Sequence, residues 1–273
     1  MEKVGLVLGG GAVRGLAHIG VLKALERHRI GIDCIAGTSM GGAVGGLYAA
    51  GVLPETLESF MQKTPKYRLI HVGIRQRGLL SGNGIFSAVH DLLSRQGKHS
   101  VLIEDLPMKF KAVSVDLMEG KQVIFDKGDL LTALRATTAF PGIFSPLMHD
   151  GMMLVDGGVL NNLPVEQLDR KKGRLVIAVD VSRAHEKKPP RNLIEVVYRS
   201  YSLMAAERNR SSLRLADVVI RPEVGHIPAF DFSRWQECIE AGEAAAERIM
   251  DKLKLRLASL RDHPGSHSSG REP

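Results

Sequence analysis

Cysteine and tryptophan are scarce: the 273-residue chain has two of the first and one of the second. Cys34, inside an apolar run, and Cys238 show neither metal-ligand spacing nor the density of a disulfide scaffold. They are expected as two buried thiols of a protein in a reducing compartment. Long apolar runs are also wanting. The nearest, Ala36 to Leu53, contains Thr38, Ser39 and six glycines, which suits a buried strand-to-helix unit better than a bilayer span. Met1 to Leu8 has no charged segment followed by an apolar segment and cleavage site, so a cytoplasmic protein is expected. There is no internal repeat, and with one exception the charge is not gathered in any segment. The net charge is +7, yet the chain up to Ser182 holds 21 basic and 17 acidic residues and the remainder 16 and 13. With the excess spread so evenly, no nucleic-acid partner is expected.

What is present is the balance of a soluble globular protein, 44% hydrophobic and 25% charged, on a chain long enough to bury a core without disulfide or metal. The expectation is one domain over residues 1–261, with a Ser-, Gly-, His- and Pro-rich disordered tail over 262–273. One stretch departs from the even charge. Between Ser59 and His90 stand Lys63, Lys66, Arg68, Arg75 and Arg77 with no acidic residue, interleaved with Tyr67, Leu69, Ile70, Ile74, Leu79 and Leu80. Such a loop, covering about residues 63–82, suits peripheral contact with an anionic membrane surface, or it is simply solvated.

Apolar β-branched runs predict strands at Val4–Leu8, Ile32–Ala36, Met152–Val155, Leu175–Val181 and Val218–Ile220, and a hairpin from Ala112–Asp116 and Gln122–Phe125. Between them, helical spacing follows Gly9-Gly10-Gly11 and runs on from Ser39 to about Ala50. Further helices are predicted near Glu55–Gln62, Gly84–Ser94, Asp129–Thr137, Leu193–Leu213 and Trp235–Leu260. Alternating strands and helices predict a three-layer α/β/α fold with a mainly parallel central sheet.

Gly37-Thr38-Ser39-Met40-Gly41 is a G-x-S-x-G string where a predicted strand meets a predicted helix. The glycines Gly37 and Gly41 permit a sharp turn, and the serine stands exposed over the positive end of the next helix, as a nucleophile requires. The competing reading is a serine that only caps the helix. Gly9-Gly10-Gly11-Ala12-Val13-Arg14-Gly15 ends a neighbouring strand, so the amides of Gly10, Gly11 and Ala12 are the candidate oxyanion hole, with Arg14 bracing the loop or meeting an anionic head group. A dinucleotide loop fits poorly. G-x-G-x-x-G fails at Ala12, and Gly37-Thr38-Ser39 stands where a Rossmann fold wants its acid, so no cofactor is expected. The serine needs a base. His149 and His226 are candidates for a Ser-His-Asp arrangement. Asp156, closing an apolar strand before Gly157 and Gly158, is a candidate that would act on the serine directly if burial raised its pKa.

Taken together and in order, the glycine loop ending Arg14-Gly15, the elbow about 25 residues later and Asp156-Gly157-Gly158 far downstream resemble the patatin-like phospholipases. Ala139-Phe-Pro-Gly-Ile-Phe-Ser-Pro146 and Val159-Leu-Asn-Asn-Leu-Pro-Val165 resemble that family's connecting segments. The resemblance covers Val4 to Val181. It departs at Ala12, which stands where the family commonly has a third glycine and still supplies an amide. What the resemblance implies is a patatin-like fold and a metal-free Ser-Asp dyad, Ser39 as nucleophile and Asp156 as base, hydrolysing ester bonds of lipids or phospholipids. A low-turnover regulatory or acyl-lipid-binding protein of the same fold is the alternative. The region after Ser182 carries no motif tied to that chemistry.

Overall fold

The structure is a computed structural model that describes residues 3–64, 72–75, 78–80, 83–168, 174–182, 189–190 and 192–262. Lys66, Arg68, His71 and Arg77 of the basic stretch lie outside the described residues, as do His263, His267 and the expected tail except Asp262.

Ten strands and eight helices are described: β1 (Lys3–Leu8), α1 (Ala17–Arg27), β2 (Cys34–Thr38), α2 (Met40–Ala49), α3 (Pro54–Lys63), β3 (Val72–Arg75), β4 (Gly78–Leu80), α4 (Asn83–Arg95), β5 (Lys109–Asp116), β6 (Lys121–Phe125), α5 (Leu130–Thr137), β7 (Leu147–His149), β8 (Met152–Asp156), β9 (Arg174–Val179), α6 (Leu193–Arg214), β10 (Val218–Ile220), α7 (Trp235–Glu247) and α8 (Met250–Asp262). Eight strands form one sheet, and β3 and β4 pair antiparallel by themselves. In the large sheet β10, β9, β1, β2 and β5 run parallel in that spatial order. The far side is antiparallel: β6 and β8 both pair with β5, and β7 with β8.

The strand faces show why there are three layers. Successive residues of a strand point to opposite sides of the sheet. Leu6 and Leu8 of β1, Ile35 of β2 and Leu175, Ile177 and Val179 of β9 join a core that includes Leu22, Val44, Leu134, Ile239 and Leu253 of the helices. The intervening Val7, Cys34, Ala36, Val176 and Ala178 pack on the other side against Leu163, Val165 and Leu168, with Leu213 of α6 at the margin. These central strands, covered on both faces, read in the sequence as continuous apolar runs for that reason.

Register decides how the antiparallel end meets the parallel one. On β5, Ala112 and Val113 pair with both β2 and β6, so these two strands occupy opposite edges of β5. Further along, Ser114 to Asp116 pair with both β6 and β8, so β8 must lie on the edge that β2 has vacated. Thus β2, ending at Thr38 opposite Val113, and β8, ending at Asp156 opposite Ser114, arrive end to end along one edge. Residues more than a hundred positions apart in sequence are brought together by that meeting.

Four local expectations change. The stretch from Trp235 is two helices, α7 and α8, interrupted at Arg248 and Ile249, where Ile249 donates to the Ala246 carbonyl three residues back. Residues 72–75 and 78–80 of the basic loop form strands. Leu147–His149 adds a strand beyond Pro146. Finally, β2 runs two residues later than its apolar core suggests, because Gly37 and Thr38 complete the ladders to β1 and β5.

Candidate active site

Because β1 and β2 are parallel, with Leu8 opposite Gly37, the glycine loop and the turn at Ser39 leave the sheet at the same edge. Ser39 has φ 55° and ψ −129°. A non-glycine residue in such a conformation is strained by about 1–3 kcal/mol and persists only where its surroundings hold it. They do so on both sides. The Ser39 N–H donates to Thr137 Oγ1 at 2.9 Å, and Thr137 in turn donates to the Val113 carbonyl. Thr38 Oγ1 donates to the Asn161 carbonyl at 2.8 Å, while the Ser39 carbonyl accepts from Ala43 N–H at 2.9 Å and begins α2. Gly37 and Gly41 are required by close approach. A Cβ on Gly37 would sit 2.7 Å from the Gly41 carbonyl group, and one on Gly41 would sit 2.2 Å from the Leu8 oxygen.

The Ser39 side chain does not cap α2. Its hydroxyl donates instead to Asp156 Oδ2 at 2.6 Å, with no histidine between them. Asp156 is completely buried. Its N–H donates to the Ala139 carbonyl at 3.0 Å, which fixes the residue where β8 ends. The second carboxylate oxygen, Oδ1, accepts from the Gly158 N–H at 2.9 Å and from the Tyr201 hydroxyl at 3.4 Å. Burial raises the Asp156 pKa to about 6, opposed by the hydrogen bonds from Ser39, Gly158 and Tyr201. A carboxylate so placed is mostly ionised at neutral pH yet a better base than an exposed one.

The glycine loop is held from three directions. Gly9 N–H donates to the Val179 carbonyl at 3.1 Å. Gly10 N–H donates to the Asn162 carbonyl at 3.0 Å, and Asn162 Nδ2 donates back to the Gly10 carbonyl at 3.2 Å. The Gly9 carbonyl meets His18 Nε2 at 2.8 Å. Since a carbonyl can only accept, that nitrogen carries the proton, and burial holds the ring neutral with its pKa lowered to about 4. The Gly10 amide is therefore already engaged. Among the described residues, the N–H groups of Gly11 and Ala12 have no acceptor. Ala12 adopts φ 50°. Arg14 is buried and points away from solvent, donating to the carbonyls of Ile227 at 2.7 Å and Gly225 at 3.1 Å, so it braces the loop.

The candidate histidine bases, His149, which is half-buried, and His226, which is exposed, face Asp150 at 3.4 Å and Glu237 at 2.5 Å respectively. Cys34 and Cys238 are both buried and unbridged. Sequence reasoning did not identify Thr137, Asn162, His18 or Tyr201 as parts of this site. Asn162 had a signal, lying six residues after Asp156 in the segment that resembles a known family. Tyr201 had none: it is the middle of a predicted helix, and its ring packs edge-on to Phe140 with centroids 4.8 Å apart in a cluster with Tyr198 of the same helix and Phe230. Among the described residues, no group of three or more His, Cys, Asp or Glu side chains is arranged to hold a metal ion.

Comparison with known proteins bears on the family and the fold. The family model described as patatin-like phospholipase matches residues 6–169. An uncharacterised NTE family protein of Mycobacterium tuberculosis is 42% identical over 183 residues, covering 66% of this chain and 49% of that protein. A lysophospholipase, NTE1 of Kluyveromyces lactis, is 29% identical over 299 aligned positions, covering 93% of this chain and 19% of that protein. The chain thus spans half or less of the length of these relatives. Among solved structures, VipD from Legionella pneumophila superposes with a TM-score of 0.60 at 16% identity, over 92% of this chain and 67% of that one, a likeness of fold.

Proposed function

The chain belongs to the patatin-like phospholipase family, and on that premise we propose that it is a serine lipid acyl hydrolase working through a Ser39–Asp156 dyad. The observation that carries the reading is the 2.6 Å hydrogen bond from the Ser39 hydroxyl to a buried carboxylate, made from a strained turn at the end of a strand. In the first half-reaction Asp156 Oδ2 accepts the Ser39 proton while Oγ bonds to the ester carbonyl carbon. The amides of Gly11 and Ala12 receive the oxyanion, supported by their lack of any other acceptor among the described residues. Collapse breaks the ester C–O bond, the proton passes from Asp156 to the departing alcohol, and the acyl group stays on Ser39. Water then gives a proton to Asp156 and its oxygen to the acyl carbon. The second collapse returns the proton to Ser39 Oγ and releases the fatty acid.

A lipid or phospholipid ester is the substrate class in this reading, in keeping with the name of the yeast relative. Peripheral contact with an anionic membrane belongs to it as well, through the basic stretch that contains Lys63 and Arg75. The exposed apolar residues Leu193, Val197, Leu203 and Met204 lie on α6, the helix whose Tyr201 reaches the dyad, and add apolar surface near the site.

The test is hydrolysis of a short and a long p-nitrophenyl ester and of phospholipid by the parent and by Ser39→Ala and Asp156→Asn, with circular dichroism to verify folding. Ser39→Ala is expected at background and Asp156→Asn reduced about 10²–10⁴-fold. A parent as inactive as both variants on every substrate would turn the reading to a regulatory or acyl-binding protein.

A further inference from the structure

We propose that Tyr201, in a part of the chain that carries no recognisable catalytic motif, is a positioning residue that fixes which oxygen of Asp156 serves as the base. This rests on the dyad reading above. Asp156 has two carboxylate oxygens, and only a proton held on Oδ2 can be exchanged with Ser39. A carboxyl free to take its proton on Oδ1, or to rotate, would strand that proton on the wrong side of the group.

The surroundings of Oδ1 prevent this. It accepts from the Gly158 N–H at 2.9 Å and from the Tyr201 hydroxyl at 3.4 Å, so both approaches to it are filled by donors. Neither donor is interchangeable with solvent, since Asp156 is fully buried. Burial and the neighbouring carboxylate push the phenol's own pKa well above the ordinary tyrosine value, so at neutral pH it keeps its proton and can donate it to Oδ1.

A second observation shows that the backbone leaves room for this phenol. A Cβ on Gly158 would lie 1.8 Å from the Tyr201 oxygen. The second glycine after Asp156 therefore admits both its own amide and the tyrosine to Oδ1. The ring is fixed independently of the hydroxyl, edge-on to Phe140 with centroids 4.8 Å apart and stacked near Tyr198 at 6.4 Å. Phe140 follows Ala139, whose carbonyl holds the Asp156 amide, so the tyrosine is referenced to the same short segment as the base. It is α6, outside the ordered set of loop, elbow and Asp-Gly-Gly read from the sequence, that completes the base.

Tyr201→Phe removes the donor and keeps the ring. Loss of a hydrogen bond to the ionised carboxylate makes protonation easier, so the acidic limb of the kcat/KM profile should move to higher pH. The bond is long, so the shift expected is about half a pH unit and at most about one. At high pH, where Asp156 is ionised in both proteins, kcat should fall about 2- to 10-fold, with KM for a short ester unchanged. A role in packing alone would lower stability and the amount of active protein without moving the limb. The same titration can be followed without turnover, by the carboxyl carbon resonance of Asp156 in Ser39→Ala with and without Tyr201→Phe. An upward shift in both measurements supports the proposal. If Ser39→Ala and Asp156→Asn are inactive while Tyr201→Phe titrates within about 0.2 pH units of its parent in both, the tyrosine proposal is overturned and the dyad stands. If Asp156→Asn retains full turnover, the dyad itself fails and this proposal with it.

Discussion

Burying a carboxylate costs free energy, and the three hydrogen bonds to Asp156 recover only part of it, which is why its pKa lies near 6 instead of the ordinary 3.8. A group whose folded pKa is raised contributes stability fully below its unfolded value and loses it as pH rises through the folded value. For Asp156 that window runs from about pH 4 to pH 6, and the loss is about 3 kcal/mol at 1.36 kcal/mol per unit. His18 has the opposite sign. Its pKa is depressed from 6.5 to about 4, so its contribution is present above pH 6.5 and lost as pH falls through 4, again by about 3 kcal/mol. In the native chain the two nearly cancel between pH 4 and 6.5. Asp156→Asn, which keeps the shape and removes the charge, is therefore expected to stabilise the protein at pH 7 by up to about 3 kcal/mol in urea unfolding, an advantage that vanishes by pH 4. Equal stabilities at pH 7 would mean that the site does not strain the fold. The residues of this trade-off differ in how openly the sequence carries them. Ser39 and Asp156 each sit beside glycines at the end of an apolar run, a local signature. His18 is one histidine among ten, and its role depends on the Gly9 carbonyl, which only tertiary packing brings to it.

Elements whose reasons are local were legible; those whose reasons are tertiary were not. Asp129 caps α5 by accepting from Thr132 N–H at 2.7 Å, and the β5–β6 hairpin forms where alternation and Glu119-Gly120 place it. The break between α7 and α8 has no such sign, since Ala244-Ala-Ala-Glu-Arg-Ile-Met250 contains neither glycine nor proline. Helix packing decides there, and it is unusually close on the preceding stretch. A Cβ on Gly20 of α1 would lie 1.9 Å from the Ile239 carbonyl oxygen, and one on Gly242 of α7 would lie 1.9 Å from that of Ala17. Each helix thus places a glycine against the other's backbone. Gly242→Ala would gain helix propensity in isolation, by about 1 kcal/mol. In the protein it must push α1 and α7 apart, and the expected result is a net loss of about 1–3 kcal/mol. Urea denaturation checks the sign. A stabilised Gly242→Ala would show that the two helices separate freely and that their contact does not set the position of the loop between β1 and α1.

At the scale of the whole molecule, the site is a consequence of topology. No segment near Ser39 in sequence contains the carboxylate that its hydroxyl meets; β5 brings Asp156 there by pairing along one edge first with β2 and then with β8. The mainly parallel sheet was legible because buried parallel strands are apolar throughout, and the antiparallel β5–β6 hairpin was legible from its alternation, whereas β7 was not, because it is three residues long and follows two prolines. Among the described residues no helix is long and apolar enough to cross a membrane; the lipid acyl hydrolase proposed above would need contact with a bilayer surface. Two features would supply it: five basic residues without an acid between Ser59 and His90, and the exposed apolar side chains of α6. They respond differently to salt. Each cation near an anionic bilayer adds about 1 kcal/mol and is screened within about 10 Å at 0.1 M salt, while apolar contact is not screened. The protein is thus expected to co-sediment with vesicles containing phosphatidylserine several-fold more than with phosphatidylcholine alone at 0.05 M salt, and to lose most of that preference at 0.5 M. Binding that remained at 0.5 M salt and ignored lipid charge would assign contact to α6 alone; equal binding to both vesicles at low salt would remove the basic stretch from the reading.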